Sequence, residues 1–423
     1  MKNSPRTEKG LSWAPIMLLI TVFQLLSFAP LLLREGPEWP LLVALLGYPA
    51  LEWLFLLLLR LAAKTKNLAP ELLGCWLSGL GLAICGSISA EYAWKQAAAI
   101  AGGMLTYAVL LWMTADVDRA MKLRPVVAVG AGALLAVNLL FATAVGGQRN
   151  WLTLGGFSIQ PSELVKLAFV FVGAATLDRL QNTRSITRYL IFAMGCVAAL
   201  FLMNDFGTAL IFFATFLLIA FLRSGDIRSI ALVCAAAGMA GFLVINFRDS
   251  VAKRFRVYRH VWEPENIHAA GYQQTRVLIY SSSGGLFGLG LGQGRLRGVF
   301  AASTDLIFGL LCEELGMVIA FLVPLCYIAL AVFALRGARQ ARSAFYAIAS
   351  VSAAGMLLIQ AALNIFGVTD LLPLTGVTLP FVSRGGTSML CAWGLLAFIR
   401  AGEGPPRKFY KKSSLTPLQF DEI

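Results

Sequence analysis

Long apolar runs, most of them about 20 residues, follow one another along this 423-residue chain with little sequence between them. An α-helix rises 1.5 Å per residue, so about 20 apolar residues cross the roughly 30 Å hydrocarbon core of a bilayer. Inside lipid every backbone N–H and C=O must find a partner within the protein, which leaves only helices and closed barrels. The runs here are continuously apolar rather than alternating, so they predict helices. Twelve are placed at about 13–33, 39–60, 69–90, 95–115, 125–145, 163–180, 187–203, 205–222, 228–246, 306–335, 343–367 and 385–400. The expected fold is all-α: a polytopic membrane protein of about twelve transmembrane helices. At 58% hydrophobic and 13% charged residues, the composition excludes a disordered chain, a nucleic-acid-binding module and an ordinary cytosolic enzyme. The +13 net charge therefore reports on orientation and not on nucleic acid.

Basic residues flank the cytoplasmic ends of membrane helices. With the N-terminus inside, the cytoplasmic segments hold 22 of the 35 Lys and Arg residues, and the short outward segments hold four. Both termini are thus expected in the cytoplasm, with 146–162, 247–304 and 368–384 facing outward. The tenth run is long enough for an extra turn or two, and only Asn204 and Asp205 separate the seventh from the eighth, which predicts a tight turn or re-entrant dip. No cleavable signal peptide is evident, because the first run itself spans. The seven cysteines fall in or beside apolar runs and read as buried small hydrophobes. No metal-ligand spacing is present, and the two histidines, His260 and His268, make a histidine-based metal site unexpected.

The segment 247–304 is far longer than a plain connector and carries eight basic against three acidic residues. Val251, Phe255, Tyr258 and Trp262 recur at helical spacing, with Lys253, Arg254, Arg256 and Arg259 largely on the other side. That pattern suits a helix lying in the interface, drawn either to lipid headgroups or to an anionic lipid-linked substrate. Further on, Ser281–Gly285 and Gly288–Gly294 form a glycine-dense stretch able to bring backbone close to a ligand. Ser303-Thr304-Asp305 then stands directly before the tenth run. Asp305 is either a helix N-cap or a functional carboxylate. Glu313 and Glu314 follow along the same helix, and three acids there point to proton handling or a cation-supported site. Glu52, Glu163, Lys166 and Asp205 are further charges in or at the ends of apolar runs. Glu163 and Lys166 lie three apart and can pair on one helix face, while capping competes for Asp205.

Taken in order, six stretches resemble the SEDS family of RodA, FtsW and SpoVE. They are Gly147–Gly156; Gln160-Pro161-Ser162-Glu163 with Lys166; Asp205–Thr208; Gly271-Tyr272-Gln273 running to Gly294; Thr304–Phe308 with Glu313–Gly316; and Leu379–Gly386. The resemblance covers about residues 69–400. It implies a multi-pass enzyme of the bacterial cytoplasmic membrane, a peptidoglycan glycosyltransferase that polymerises lipid II beside a class B penicillin-binding transpeptidase. The family's essential aspartate carries over to Asp305 as catalytic general base. Expected substrate-binding residues are Arg149, Glu163, Lys166, Asp205, Tyr272, Gln273, Arg276, Ser283, Gly284, Gly285, Thr304, Glu313, Glu314, Ser383 and Arg384. A ten-helix core at 64–400 would then carry an added helix pair at 1–63 and a basic tail at 401–423.

The chain departs from the family pattern at Asn150, where Arg is usual, at Phe300-Ala301 and Ser303 before the aspartate, at Met203-Asn204, and at Arg384, where Tyr is usual. On this reading the acceptor GlcNAc 4-hydroxyl attacks the donor MurNAc anomeric carbon and undecaprenyl diphosphate leaves. Arg149, Lys166, Arg276 and Arg384 are the candidates to face the diphosphate, and a divalent cation such as Mg²⁺ or Mn²⁺ stays open as an aid. A precursor flippase or transporter, or a non-catalytic scaffold activating a transpeptidase, would draw on the same residues.

Overall fold

The computed structural model describes residues 13–33, 36, 38–63, 67–145, 148–154, 157–177, 183–225, 227–228, 231, 233–235, 238–239 and 249–403. The ninth apolar run, 228–246, lies largely outside the described residues, as does the basic tail beyond 403. The other eleven runs all coincide with helices. These are α1 (Trp13–Leu32), α2 (Trp39–Ala63), α3 (Ala69–Ile88), α4 (Ala90–Thr114), α5 (Val117–Phe141), α6 (Pro161–Leu177), α7 (Thr183–Leu202), α8 (Phe206–Ser224), α12 (Ile307–Arg339), α13 (Ala344–Val368) and α14 (Gly386–Gly402). Between α8 and α12 lie the short helices α9 (Asp249–Val257), α10 (Pro264–Ile267) and α11 (Tyr272–Ser283), and a 3-10 turn at Leu296–Gly298. Eight of the described helices are long and apolar enough to cross a membrane, and α14 and residues 187–202 of α7 are shorter apolar helices. The chain is a polytopic membrane protein.

Helices α3, α13 and α14 form the interior of the bundle; α1 and α5 are mostly peripheral. Helix α14 lies along α4, and α13 lies between α12 and α14. The N-terminal pair is packed into this core. Phe55 of α2 meets both Tyr107 and Trp393 edge-on, and the Tyr48 hydroxyl donates to the Cys75 carbonyl at 2.8 Å. Glu52, a charge the sequence places mid-span, accepts from Gln24 Nε2 at 3.1 Å. A buried carboxylate needs such donors, because an isolated one in hydrocarbon is costly. The same rule governs Glu71, which accepts from Tyr107 and is paired with Arg400.

Two features differ from the sequence reading. The run 125–145 ends in strand, not helix: Ala142 turns extended, and β1 (Thr143–Val145), β2 (Gln148–Leu154) and β3 (Phe157–Ile159) form an antiparallel sheet in the order β1-β2-β3. Thr143 faces Trp151 and Leu152 faces Ile159 in its register. Strands of three to seven residues are too short for hydropathy to separate from a helix end.

The second difference is in α12. Its 33 residues would reach about 50 Å as one helix, but Gly316, at φ 84°, breaks it. Beside the break the glycine-dense stretch pairs with α12 through backbone. Leu289 and Gly290 N–H groups donate to the carbonyls of Glu313 and Glu314, and Met317 and Val318 N–H groups donate to those of Gly285 and Leu286. A Cβ at Gly316 would overlap Gly288 N and Leu286 O, so only glycine fits.

Candidate active site

Asp305 lies in a tight irregular stretch between the 3-10 turn and α12. It does not cap α12: the N-cap residue is Leu306, and no side chain caps that end. The Asp305 side chain instead interacts with Thr304 and remains half-buried. Burial pushes its carboxyl up to about 7, with Thr304 and Arg254 opposing the rise and Asp205 adding to it. The cause is desolvation, which penalises the charged form more than the neutral one.

The surrounding wall is the stretch 375–384 between α13 and α14. Asn364 Nδ2 donates both to the Asp305 carbonyl (2.9 Å) and to the Val377 carbonyl (2.7 Å). Ser383 Oγ donates to the Thr304 carbonyl at 2.6 Å, and Arg384 N–H donates to the Ser303 carbonyl at 2.8 Å. Arg384 Nε also donates to Ser303 Oγ at 3.0 Å, while its guanidinium lies 3.9 Å from the Tyr92 ring centroid. The two departures Ser303 and Arg384 thus meet each other. Backbone strain gathers here as well. Asn204, Ala301 and Phe381 are non-glycine residues at positive φ beside Asp205, Ser303 and Ser383. Such conformations cluster where surrounding structure over-determines the chain.

A second polar row reaches this wall from α6 and α8. Lys166 Nζ lies 2.7 Å from Glu163 Oε1 and 2.8 Å from Gln360 Oε1, all three side chains being buried. Gln360 Nε2 donates in turn to Thr378 O and Oγ1. Asp205 does cap α8, accepting from Thr208 N–H at 3.1 Å, and the tight 203–205 turn is as expected. Its other oxygen accepts from Asn150 Nδ2 at 2.7 Å, so the departure at 150 is the partner of Asp205.

Asp305, Thr304, Ser383, Arg384, Asp205, Glu163 and Lys166 therefore share one constellation. Glu313 and Glu314 belong to a different one. Glu313 accepts from the N–H groups of Arg295 (2.7 Å) and Leu296 (2.9 Å), and Glu314 Oε1 from that of Gly294 (3.3 Å). Their carboxylates hold the loop to the broken helix through backbone amides that lipid could not supply, with Glu314 Oε2 left without a hydrogen-bond partner among the described residues. Gly284 has a related place: a Cβ there would overlap the carbonyls of Cys312 and Glu313, so its close approach is to α12. Gly285, at φ 56°, has open space, and Ser283 bonds its own helix. On α11, Gln273 Nε2 donates to the Phe300 carbonyl, and Arg276 lies over the half-exposed Tyr272 ring. The side chain of Arg149 lies outside the described residues.

Sequence reasoning missed Gln360 and Asn364, uncharged amides inside an apolar run, where hydropathy gives no signal. It grouped Arg254 with the basic side of an interfacial helix, drawn either to headgroups or to an anionic substrate, without singling it out as a site residue. In the structure Arg254 Nη1 donates to the Thr375 carbonyl at 3.1 Å, and its charge acts on both Asp205 and Asp305. Among the described residues, no group of three or more His, Cys, Asp and Glu side chains is gathered as a metal site.

A membrane bundle with a half-buried aspartate beside amides, hydroxyls and guanidinium groups defines a class: a helical membrane protein with a polar cluster where its loops meet the helix ends. The chain belongs to the cell cycle protein family of FtsW, RodA and SpoVE, whose family model matches residues 83–402. It is 35% identical over 262 residues to stage V sporulation protein E of Bacillus subtilis, which covers 59% of this chain and 70% of that one. It is 32% identical to the peptidoglycan glycosyltransferase RodA of Mycobacterium leprae, over 60% of this chain and 57% of that protein. It is also 31% identical to the probable peptidoglycan glycosyltransferase FtsW of Geobacter metallireducens (61% and 72%). The fold matches a chain of a peptidoglycan synthase complex that coordinates polymerization and crosslinking (TM-score 0.66, 21% identity, 80% of this chain and 97% of that one). It also matches the rod shape determining protein RodA of Thermus thermophilus (TM-score 0.57, 23% identity, 79% and 95%).

Proposed function

We propose that this protein is a peptidoglycan glycosyltransferase that polymerises lipid II at the outer face of the cytoplasmic membrane, with Asp305 as general base. The observation that carries the reading is the state of that carboxyl: uncommitted to capping, half-buried, and raised to about 7 by burial. A general base works best with its pKa near the working pH. Asp305 takes the proton from the acceptor GlcNAc 4-hydroxyl as that oxygen attacks the donor MurNAc anomeric carbon. The glycosidic bond forms with inversion, the bond to the diphosphate oxygen breaks, and undecaprenyl diphosphate leaves.

Arg384 is the best-supported cation for the leaving diphosphate. Its Nε is engaged with Ser303, and among the described residues no hydrogen bond uses its two Nη groups. A preorganised guanidinium of this kind stabilises charge that develops only in the transition state. Lys166, tied to Glu163 and Gln360, serves rather to order the wall beside Thr378. Thr304, Ser383 and Asp205 complete the wall. Tyr272, Gln273 and Arg276 on α11 are proposed contacts for the flanking sugar or peptide, and Arg149 is a further proposed contact. A class B penicillin-binding transpeptidase is the proposed partner, in keeping with the synthase complex whose fold this chain shares. The helix pair at 1–63 is proposed as an addition to the catalytic unit at 64–400.

The test is polymer formation. Purified protein in vesicles is given fluorescent lipid II, with and without a candidate transpeptidase. Glycan strands on a gel support the reading. Lipid II that crosses the bilayer without polymerising would replace it with a flippase.

A further inference from the structure

Among the described residues of the 247–304 segment, Arg254 carries a charge that acts on both Asp205 and Asp305. The geometry that brings it there is specific. Arg254 and Tyr258 sit one helical turn apart, and both bond the same stretch of backbone. Arg254 Nη1 donates to the Thr375 carbonyl (3.1 Å) and the Tyr258 hydroxyl donates to the Leu371 carbonyl (2.7 Å). Thr375 also packs against Gly207, two residues from Asp205. Two residues further on, Val377 shares the Asn364 amide with Asp305. Helix α9 is therefore strapped over the wall that joins the two acids. Its neighbours Phe255 and Arg256 are exposed, whereas Arg254 is half-buried.

We propose that Arg254 is a positioning residue for the reaction described above: the strapped helix delivers the positive charge against which Asp305 ionises. The other charged groups around the carboxyl do not supply it. Asp205, from the start of α8, is a like charge, and Lys166 behind it is neutralised by Glu163. Arg384 is turned to Ser303 and Tyr92.

The experiment is the pH–rate profile of lipid II polymerisation from pH 5 to 9 by the full chain in phosphatidylcholine vesicles containing phosphatidylglycerol. It compares wild type, Arg254→Gln, Arg254→Lys and Arg256→Gln. An opposite charge beside a carboxylate favours its ionised form by about one pH unit or more. Arg254→Gln should accordingly move the rising limb upward by about one unit. Its rate falls about tenfold at pH 6 and returns toward wild type at pH 9, which a merely structural loss would not do. Arg254→Lys, which keeps the charge, holds the limb in place, and this carries the test if the glutamine variant does not fold. Arg256→Gln, on the exposed side, leaves the profile unchanged. A rate lowered by one factor at every pH, a limb that moves with Arg254→Lys, or an equal effect of Arg256→Gln through headgroup attraction would each overturn the proposal. Polymer from wild type with an unmoved Arg254→Gln limb removes this inference alone. No polymer from wild type at any pH removes the glycosyltransferase reading beneath it.

Discussion

Lowering the pH from 8 to 6 should slow this protein about tenfold, a size set by the carboxyl at about 7. With its carboxyl at about 7, Asp305 is ionised in about nine-tenths of molecules at pH 8, half at pH 7 and about one-tenth at pH 6. If the ionised form is the base, the rate under subsaturating lipid II falls about fivefold between pH 7 and 6 and about tenfold for each further unit. An aspartate left near 3.8 would be more than 99% ionised across that range, by about two pH units of margin at pH 6, and the profile would be flat. The sign is independent of catalysis. Folded Asp305 holds its proton more tightly than the unfolded chain does. Its contribution to stability is therefore full below about pH 4 and is lost as pH rises through about 7. Initial polymerisation rates in buffered vesicles, with thermal unfolding in detergent alongside, read both consequences. A flat rate between pH 6 and 8, or a limb near pH 4, would refute the assignment of a burial-raised base.

Other perturbations follow from the same contacts. Lys166→Met strands the buried Glu163 carboxylate and should cost about 3–5 kcal/mol, most of it recovered in Lys166→Met with Glu163→Gln; thermal melts in detergent test this, and a double variant as unstable as the single contradicts it. Gly316→Ala forces a side chain into φ 84° and against Gly288 and Leu286, at a cost of about 1–2 kcal/mol from φ alone. It should open the 284–298 loop to limited proteolysis, and unchanged protection would show that the latch is not rigid. Removal of residues 1–63 should leave measurable polymerisation in protein that stays monodisperse, although it bares Tyr107 and Trp393 where Phe55 packs. Complete inactivity of a well-folded truncation would make the helix pair part of the catalytic unit.

How far the sequence reached depends on the kind of signal. Helices are written in continuous hydropathy: each described run corresponds to a helix, and eight of these are long and apolar enough to cross a membrane. The tight turn at Asn204–Asp205 was legible because two polar residues interrupt a long apolar stretch. The sheet at 143–159 was not, since its strands are shorter than the window on which hydropathy works. Gly316 looks like any glycine in a span, and only its pairing with Gly285–Gly290 reveals the break. Within the site, Asp305, Asp205, Glu163 and Lys166 were visible as charges at or within apolar runs, where each demands a reason. Arg254 lay in a basic cluster whose periodicity suggested an interfacial helix drawn to headgroups or to an anionic substrate, and which of its arginines reaches the carboxylates is a tertiary fact. Glu313 and Glu314 show the opposite limit. Their placement in the membrane helix was correctly unusual, but their partners are the backbone amides of a loop about 20 residues earlier that no local pattern could name.

The most direct measurement compares wild type with Asp305→Asn in the lipid II polymerisation assay at pH 8, using equal amounts of monodisperse protein of matched thermal stability. The wild type should give glycan strands and the amide none, since the amide keeps the shape and cannot accept the proton. Strands of similar length and rate from both proteins would contradict the assignment of Asp305 as the base.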